Sequence, residues 1–380
     1  MSELADIFRQ FGPAYRDKYS QHMLPSHLAV MRAIEACRTE ALGGQVYHCA
    51  TCDETWYCYH SCKNRHCPKC QQQAGQVWLE QQQSLLLPVP YFLVTFTLPA
   101  SLRDLARRKQ ELVYNLFFRA SAAALQELAA DPRFVGGQIG CMGVLQTWTR
   151  DLRYHPHIHY LVPGGGLAAD GQRWLASDRK FLVRVEPLGR LFRGKMRAGL
   201  RKAGLLDQVP PAAWRQDWVV DCRSVGRGQT ALKYLAPYIF RVALSNKRIV
   251  KVEDGKVTFT YREGDTGRRR ISTVTAEEFI RRFLQHVLPK GFVKVRYYGL
   301  LAPGNRHRLR QVQALLGAQA QPGLPSATSE QSAEQIAQDH TVLCPRCGQP
   351  MQVVQSIRPT AQRPALPVPA SARPAQSSSP

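Results

Sequence analysis

Apolar side chains recur every three or four positions within residues 1–45, as at Leu4, Ile7 and Phe8. This spacing predicts helices that end at Gly43-Gly44. The same pattern continues over residues 102–130, and the basic residues 178–205 are also predicted to be helical.

Three other stretches have the composition of strands. Residues 91–98 are rich in aromatic and β-branched side chains, and residues 140–149 and 156–162 follow the same pattern. Strands separated by long helices predict an α+β domain, with a central antiparallel sheet and helices on its faces.

Changes in composition mark the predicted domain boundaries. Residues 1–85 form a helical, cysteine-rich N-terminal domain, and residues 86–310 form the main domain. Residues 311–340, rich in Gln, Ala, Ser and Pro, are predicted to be a flexible linker. Residues 341–353 carry a small Cys-x-x-Cys knuckle, and the Pro/Ala/Ser-rich residues 354–380 are predicted to be disordered.

The net charge of the chain restricts the classes of function that fit it. The chain has 51 Lys and Arg against 28 Asp and Glu, a formal charge of +23. Such an excess favours an acidic polymer as partner over small-molecule metabolism. We expect a soluble protein without a membrane partner, because no signal peptide opens the sequence and prolines interrupt the apolar residues 85–98.

The cysteines predict a structural metal site. Cys49-x-x-Cys52 and Cys67-x-x-Cys70 are two pairs separated by a short loop, the spacing of a zinc ribbon. We therefore expect these four thiolates to hold one structural Zn²⁺. Cys62 lies in the loop and could replace a ligand, as could Cys58 and His66.

Other cysteines have weaker assignments. Cys344 and Cys347 supply only half a site, and a second zinc would need further ligands, with Cys58, Cys62, His66 and His340 as candidates. Cys37, Cys141 and Cys222 are interpreted as ordinary thiols. Lys63 and Arg65 lie among the zinc ligands, which favours contact with DNA phosphates.

Three alternating histidines form a second candidate metal site. On a strand His155, His157 and His159 project from one face, whereas Ile158 and Tyr160 face the other way. Three imidazoles in a row could bind a divalent metal. Because Pro156 places the start of the strand near it, His157 and His159 are the firm pair and His155 the less certain member. The alternative is a polar strand face whose histidines are satisfied by hydrogen bonds.

Two tyrosines stand four residues apart near the end of the main domain. Tyr234 and Tyr238 would share one face of a helix, although Pro237 would kink it. Alone, this pair predicts an aromatic stripe in the core. The neighbouring basic residues argue against deep burial and are candidates for DNA binding: Lys233, Arg241, Lys247 and Arg248.

Together these segments resemble the transposases of the insertion sequence 91 family, which belong to the His-hydrophobic-His superfamily of rolling-circle nucleases. Residues 92–99 resemble the first strand of the family's catalytic domain, and His157-Ile158-His159 resembles its metal motif. Tyr234 and Tyr238 match the two-tyrosine motif. The cysteine block that ends at Cys70 resembles the family's zinc-binding domain.

The resemblance implies a function. A transposase of this family would use Mg²⁺ or Mn²⁺ on the histidines to cleave single-stranded DNA at insertion-sequence ends. Tyr234 and Tyr238 would be the nucleophiles and would form 5′-phosphotyrosine intermediates for strand transfer in rolling-circle transposition. It would act in the bacterial cytoplasm, associated with the nucleoid when bound to DNA.

Other interpretations remain open. A plasmid replication initiator or a relaxase shares this chemistry, although the cysteine block disfavours both. A non-catalytic zinc-ribbon DNA-binding protein would use the histidines and tyrosines structurally. A hydrolase could instead hold zinc on three histidines. Only the tyrosine nucleases predict a covalent adduct with single-stranded DNA.

Overall fold

The computed structural model describes residues 2–70, 82, 85–228, 230, 242–264, 266–317 and 342–360. The fold divides into two compact units. The main unit comprises Met1–Glu35 and Lys63–Glu334, and the ribbon unit comprises Ala36–Cys62 and Gln335–Pro380. This grouping differs from the boundary predicted at residue 85, because the first two helices belong to the main unit and the Cys344-x-x-Cys347 knuckle belongs to the ribbon unit.

The described elements follow in chain order. The helices are α1 Leu4–Tyr19, α2 Pro25–Glu35, α3 Ala100–Arg108, α4 Gln110–Ala130, α5 Val185–Lys202, α6 Ala276–Leu284 and α7 Arg306–Leu315. The strands are β1 Gly44–Cys49, β2 Glu54–Tyr59, β3 Pro90–Thr97, β4 Gly140–Trp148, β5 Tyr154–Pro163, β6 Gly165–Leu167, β7 Trp174–Ala176, β8 Val220–Arg227, β9 Ile249–Glu253, β10 Lys256–Arg262, β11 Arg269–Thr275, β12 Val295–Gly299 and β13 Gln352–Ile357. Among these helices, none has the length and apolar character needed to cross a membrane.

A five-stranded sheet forms the centre of the main unit. Its strand order is β12-β4-β5-β3-β8, and every neighbouring pair is antiparallel. The predicted α+β class with a central antiparallel sheet is therefore confirmed. Strand β5, which carries the three histidines, lies in the middle of the sheet and is held by neighbours on both sides.

The two faces of β5 have different surroundings. Ile158 and Tyr160 are fully buried in the main hydrophobic core. The intervening residues His155, His157 and His159 belong to the opposite face, called here the histidine face. The Tyr160 hydroxyl lies 2.8 Å from Ser121 Oγ, which fixes this ring in the core.

Pro156 lies at an irregularity of the sheet. His157 pairs with Thr97 of β3 and Gln146 of β4, but the register with β4 then shifts before the Trp148–Tyr154 pair. Proline has no N–H for a regular ladder, so it is tolerated at such a bulge. The regular part of the strand therefore begins at His157.

Helices α4 and α5 cover the face opposite the histidine face. The Phe192 ring on α5 lies 5.1 Å from Phe96 of β3 and 5.4 Å from Phe117 of α4, centroid to centroid. The single helix predicted over residues 102–130 is wrong in one respect, because Lys109 (φ −126°, ψ 51°) separates α3 from α4. Neither Gly nor Pro marks this break in the sequence.

The basic C-terminal part of the main unit is folded. Strands β9, β10 and β11 form an antiparallel sheet that leads into α6, whose first turn is capped by Thr275 Oγ1 accepting from the Glu278 N–H. Phe283 of α6 packs edge-on against Phe8 of α1, 5.4 Å between centroids. This packing places α1 in the main unit.

The ribbon unit contains a three-stranded antiparallel sheet of order β13-β1-β2. Strands β1 and β2 form a hairpin in which Cys49 pairs with Glu54. Strand β13 follows the second cysteine knuckle and completes the sheet beside β1.

Candidate metal-binding sites

The three histidine rings of β5 lie in a row. The ring centroids of His155 and His157 are 5.5 Å apart, and those of His157 and His159 are 4.8 Å apart. His159 is buried, only 7% exposed. The predicted alternation of the strand agrees with this row, in which the rings of His157 and His159 lie side by side.

Hydrogen bonds orient the two inner rings. His157 Nδ1 lies 2.7 Å from the His155 carbonyl oxygen. A carbonyl only accepts, so Nδ1 carries the proton and the lone pair is on Nε2. Thr95 Oγ1 lies 2.9 Å from His159 Nδ1 and holds that ring in the same way. Metal-binding histidines use one ring nitrogen for such an orienting bond and the other for the metal.

Burial keeps His157 neutral, since removal from water lowers its pKa. A neutral imidazole is the form that binds a metal ion. The donor set thus fits a divalent cation on Nε2 of His157 and on His159, with the two rings oriented by the sheet.

His155 has a different environment. Arg103 Nη2 donates to His155 Nδ1 over 2.7 Å, and a guanidinium cannot accept. The pKa of His155 is lowered to about 4, mainly by burial. The ring is therefore neutral, with its proton on Nε2 and its lone pair engaged by Arg103. This arrangement disfavours His155 as a metal ligand.

Gln146 is a polar residue of the histidine face whose place in the site the sequence did not reveal. It is directly opposite His157 in the β4–β5 pairing and is only 3% exposed. A buried polar side chain among Val, Leu and Met neighbours on a predicted strand is the signal that could have identified it. Its carboxamide offers an oxygen donor beside the histidines.

The predicted nucleophiles lie outside the described residues, as do two of the predicted DNA-binding residues. These four are Lys233, Tyr234, Tyr238 and Arg241. Strand β8 ends at Arg227, and the next residues that the structure describes are Gly228, Thr230 and the buried Val242.

The remaining basic candidates divide into exposed and structural residues. Lys63 and Lys247 are exposed. Arg65 instead donates to the Phe292 carbonyl, and burial lowers its pKa. Arg248 donates to the carbonyl oxygens of Thr260, at 2.7 Å, and Arg150. The structure thus gives Arg65 and Arg248 intramolecular partners, which corrects their interpretation as simple phosphate contacts.

Four cysteines of the ribbon unit form a compact cluster. The sulfur atoms of Cys49, Cys52, Cys344 and Cys347 all lie within 4.8 Å of one another. Cys49 Sγ and Cys347 Sγ are 3.6 Å apart although the residues are 298 positions apart in the sequence. Four thiols at this spacing fit the tetrahedral coordination of Zn²⁺.

The two halves of the cluster have matching backbone turns. The Asp53 N–H donates to the Cys49 carbonyl at 2.9 Å, and the Gly348 N–H donates to the Cys344 carbonyl at 2.8 Å. The residue after each second cysteine has a positive φ, 55° at Asp53 and 75° at Gly348. Each pair is therefore held in a tight knuckle that directs both sulfurs to one point.

The thiols of this cluster influence each other's ionisation. Hydrogen bonding from backbone N–H groups, first that of Cys347, lowers the pKa of Cys344 to about 7. The Cys347 thiol beside Cys52 raises the pKa of Cys52 to about 12. A thiolate is thus already favoured at one of the four positions, as metal binding requires.

The predicted grouping of ligands is therefore wrong. Cys49 and Cys52 lie with Cys344 and Cys347, not with Cys67 and Cys70, which belong to the main unit. The two pairs expected to share one ion are in different units. Cys-x-x-Cys pairs look alike in sequence, so their partners had to come from the fold.

The other cysteines occupy varied positions. In the ribbon unit the Cys62 N–H lies 3.5 Å from Cys37 Sγ, so Cys37 is more than an isolated core thiol. Cys58 is exposed. In the main unit His66 Nε2 accepts from the Leu288 N–H at 3.3 Å, which makes His66 a structural residue.

Comparison with known proteins assigns these features to a class. A family model described as "Transposase zinc-binding domain" matches residues 7–98, and one described as "Putative transposase" matches residues 140–309. The chain is 40% identical to "Putative transposase y4qJ" of Sinorhizobium fredii over 387 aligned positions, 93% of this chain and 95% of that protein. No solved structure matches the chain.

The name of a second relative specifies a type of mobile DNA element. The chain is 29% identical to the "Transposase for insertion sequence element IS801" of Pseudomonas savastanoi pv. phaseolicola, over 70% of this chain and 68% of that protein. The fold and the matched domains define a DNA-processing enzyme of the transposase class. The chain belongs to the insertion sequence 91 family of transposases.

Proposed function

We propose that this transposase cleaves and rejoins single-stranded DNA through tyrosine nucleophiles, with a divalent metal held by His157 and His159. One observation carries the proposal: the adjacent imidazoles of the half-buried His157 and the buried His159 have their Nδ1 atoms engaged by hydrogen bonds within the sheet. Orienting bonds of this kind are typical of metal-binding histidines.

The metal site is completed by oxygen donors. Mg²⁺ and Mn²⁺ prefer oxygen ligands, so an all-imidazole site would suit them poorly. We propose Gln146 as the third protein ligand because it is buried directly opposite His157. When bound, Mg²⁺ or Mn²⁺ would neutralise charge on the scissile phosphate.

Tyr234 and Tyr238 are the proposed nucleophiles. A tyrosine oxygen forms a bond to phosphorus as the bond from phosphorus to the 3′ oxygen breaks, and the tyrosine proton is lost while the 3′ oxygen gains one. The products are a 5′-phosphotyrosine and a free 3′-OH. The phosphodiester energy stays in the new bond, so rejoining needs no ATP. A second tyrosine allows a second cut before the first strand is released, as rolling-circle transposition requires.

The proposed substrate is single-stranded DNA at the ends of an insertion sequence, inside a bacterial cell. A replication initiator or relaxase would use the same chemistry, and the family membership favours the transposase. A non-catalytic DNA-binding protein would give neither cleavage nor adduct.

The test is adduct formation on a 5′-labelled and a 3′-labelled single-stranded oligonucleotide that spans an insertion-sequence end. We expect a covalent adduct with the labelled 3′ fragment only, abolished by His157→Ala, by His159→Ala and by the double Tyr234→Phe/Tyr238→Phe change. DNA binding should be largely kept, because it rests on Lys and Arg. The exposed His307→Ala is the matched control and should react like the unmodified protein.

Structural zinc is the second part of the proposal. The ribbon cluster would hold one Zn²⁺. We also propose Cys67 and Cys70 of the main unit as ligands of a second Zn²⁺, because they keep the Cys-x-x-Cys spacing of a zinc knuckle.

A further inference from the structure

A strongly basic helix lies on the side of the sheet away from the histidine face. Residues 178–205 contain nine Lys and Arg but only two Asp and Glu. Within α5, Leu188 and Phe192 are fully buried in the core that contains Phe96. The polar side chains of α5 therefore face solvent on the surface opposite the metal-binding histidines.

The exposed surface of α5 carries cations in a line. Arg190, Gly194, Arg197 and Arg201 follow at spacings of three or four, so they share one stripe of the helix. These arginines form no ion pair with any residue that the structure describes. A Cβ at Gly194 would meet no atom within 4 Å, so a phosphate backbone could approach the helix there.

An aromatic pair with one exposed ring lies at the N-terminal end of this stripe. The rings of Phe134 and Phe181 are 6.0 Å apart, and Phe181 is 38% exposed. They line a cavity of about 570 Å³ together with Arg133, Arg184 and Pro187.

A second cavity of about 410 Å³ shares Pro187 and continues past Arg190 to Lys195. The two cavities together are called here the α5 groove. Arg133 is paired with Asp131 and Lys195 with Glu127. Arg184 and Arg190 have no such partner among the described residues, so they are the cations available to a ligand.

We infer that the α5 groove binds a segment of single-stranded DNA, with an unpaired base stacked on Phe181 and phosphates bound by Arg184 and Arg190. Stacking platforms beside cationic grooves are how proteins hold single strands without reading sequence. A duplex keeps its bases stacked internally and could not use Phe181. The groove is a second DNA site, and it does not depend on the proposed cleavage chemistry.

The first test measures binding of a fluorescent oligo(dT) to the full chain by anisotropy at several salt concentrations. Phe181→Ala should weaken binding about 5- to 150-fold without changing the salt dependence, since stacking is uncharged. Arg184→Ala/Arg190→Ala should reduce the slope of log affinity against log salt by about 1.4, two phosphates at about 0.7 each.

Conservative variants separate binding from folding. Phe181→Tyr retains the aromatic face, and Arg184→Lys/Arg190→Lys retains both charges, so each should bind nearly as the unmodified protein does. Thermal unfolding of every variant shows whether the fold persists. If Phe181→Ala bound oligo(dT) normally, or if the alanine pair left the salt slope unchanged, the groove would not be a DNA site.

The second test uses photocrosslinking. Oligo(dT) containing 5-iododeoxyuridine crosslinks on irradiation to aromatic rings that stack on the base. We expect mass spectrometry to find a crosslinked peptide that contains Phe181 or Phe134. Crosslinks confined to peptides of the histidine face would overturn the proposal. Loss of cleavage in His157→Ala with this crosslink retained would show that the two sites are separate.

Discussion

His286 shows how burial fixes a protonation state in the main unit. The ring is 2% exposed, and its Nε2 lies 3.2 Å from the Leu152 carbonyl while Nδ1 lies 3.3 Å from Thr147 Oγ1. Since the carbonyl only accepts, the proton is on Nε2 and the threonine hydroxyl donates to Nδ1. Burial lowers the pKa of His286 to about 3.

This pKa predicts acid sensitivity. The folded pKa lies below the unfolded value of about 6.5, so the unfolded state takes up a proton first as the pH falls. The stabilisation is complete above about pH 6.5 and decreases by about 1.4 kcal/mol per pH unit below it. Between pH 6.5 and 5, the unmodified protein should lose about 2 kcal/mol more than His286→Gln in urea unfolding. The same loss in both proteins would contradict the assignment, and His307→Gln is the exposed control.

Two adjacent basic residues should behave in opposite ways. Arg248 is half-buried and bonded to backbone carbonyls, whereas Lys247 is exposed. We expect Arg248→Met to reduce the free energy of unfolding by about 1–3 kcal/mol, because the carbonyl of the buried Thr260 loses a charged donor. Lys247→Met should change stability by less than about 0.5 kcal/mol.

A measurement of DNA binding should also distinguish Lys247 from Arg248. If Lys247 contacts a phosphate, Lys247→Met should lower the salt slope for single-stranded DNA by about 0.7. Urea unfolding and anisotropy titrations check both expectations. An equally destabilised Lys247→Met would mean that its side chain also has a structural role.

For single side chains, the sequence identified the right residue types but not their protonation states or hydrogen-bond partners. Alternation on a strand was enough to place His157 and His159 on one face. His155 accepts a hydrogen bond from Arg103, which lies on α3, 52 positions earlier in the chain. This bond makes His155 a poor metal ligand. Such an assignment needs the fold, because no local pattern contains Arg103.

Among the elements, strand β4 supports the histidine strand through a close contact. Gly143 pairs with Tyr160, and a Cβ at position 143 would overlap the Tyr160 ring. We expect Gly143→Ala to destabilise the protein by about 1–3 kcal/mol, because the buried ring must move. Gly194→Ala on the open side of α5 is the control and should be neutral or slightly stabilising. A tolerated Gly143→Ala, seen as an unchanged melting temperature, would show that the ring can shift freely.

The cysteine knuckles allow a prediction by metal analysis. If both proposed zinc sites are occupied, the unmodified protein should contain about two zinc ions per chain by elemental analysis. Cys344→Ser/Cys347→Ser should retain one, because it removes half of the ribbon cluster. Cys58→Ser, at an exposed cysteine, should retain both. Two zinc ions in the Cys344/Cys347 variant would contradict the ligand set.

Prediction of strands and helices from the sequence succeeded where a segment has one clear hydrophobic pattern. It failed where the sequence carries no such pattern. Strands β3, β4 and β5 are apolar and β-branched, and their positions agree with the prediction to within two residues. Strands β9 to β11 were not predicted because their exposed faces carry so many Arg and Lys. The break at Lys109 has no local signal, because neither Gly nor Pro stands there.

For the whole molecule, the two proposed kinds of metal site differ in chemistry and should therefore differ in lability. Two imidazoles and an amide oxygen would hold Mg²⁺ or Mn²⁺ weakly, whereas four clustered thiolates would hold Zn²⁺ tightly. We expect EDTA to stop cleavage at once while the zinc content and the melting temperature stay unchanged. Added Mg²⁺ or Mn²⁺ should restore cleavage fully.

The same experiment separates the proposed nuclease from a histidine-based zinc hydrolase. If only Zn²⁺ restored activity after chelation, the histidines would bind zinc. The proposed mechanism, in which Mg²⁺ or Mn²⁺ assists the tyrosines, would then be contradicted. If EDTA removed the ribbon zinc as fast as it stopped cleavage, loss of fold would explain the loss of activity.

Gln146→Glu tests the proposed oxygen ligand, because a carboxylate beside His157 keeps an oxygen ligand for Mn²⁺. We expect Gln146→Glu to retain Mn²⁺-dependent cleavage and Gln146→Leu to lose it, with unchanged binding of oligo(dT) in both.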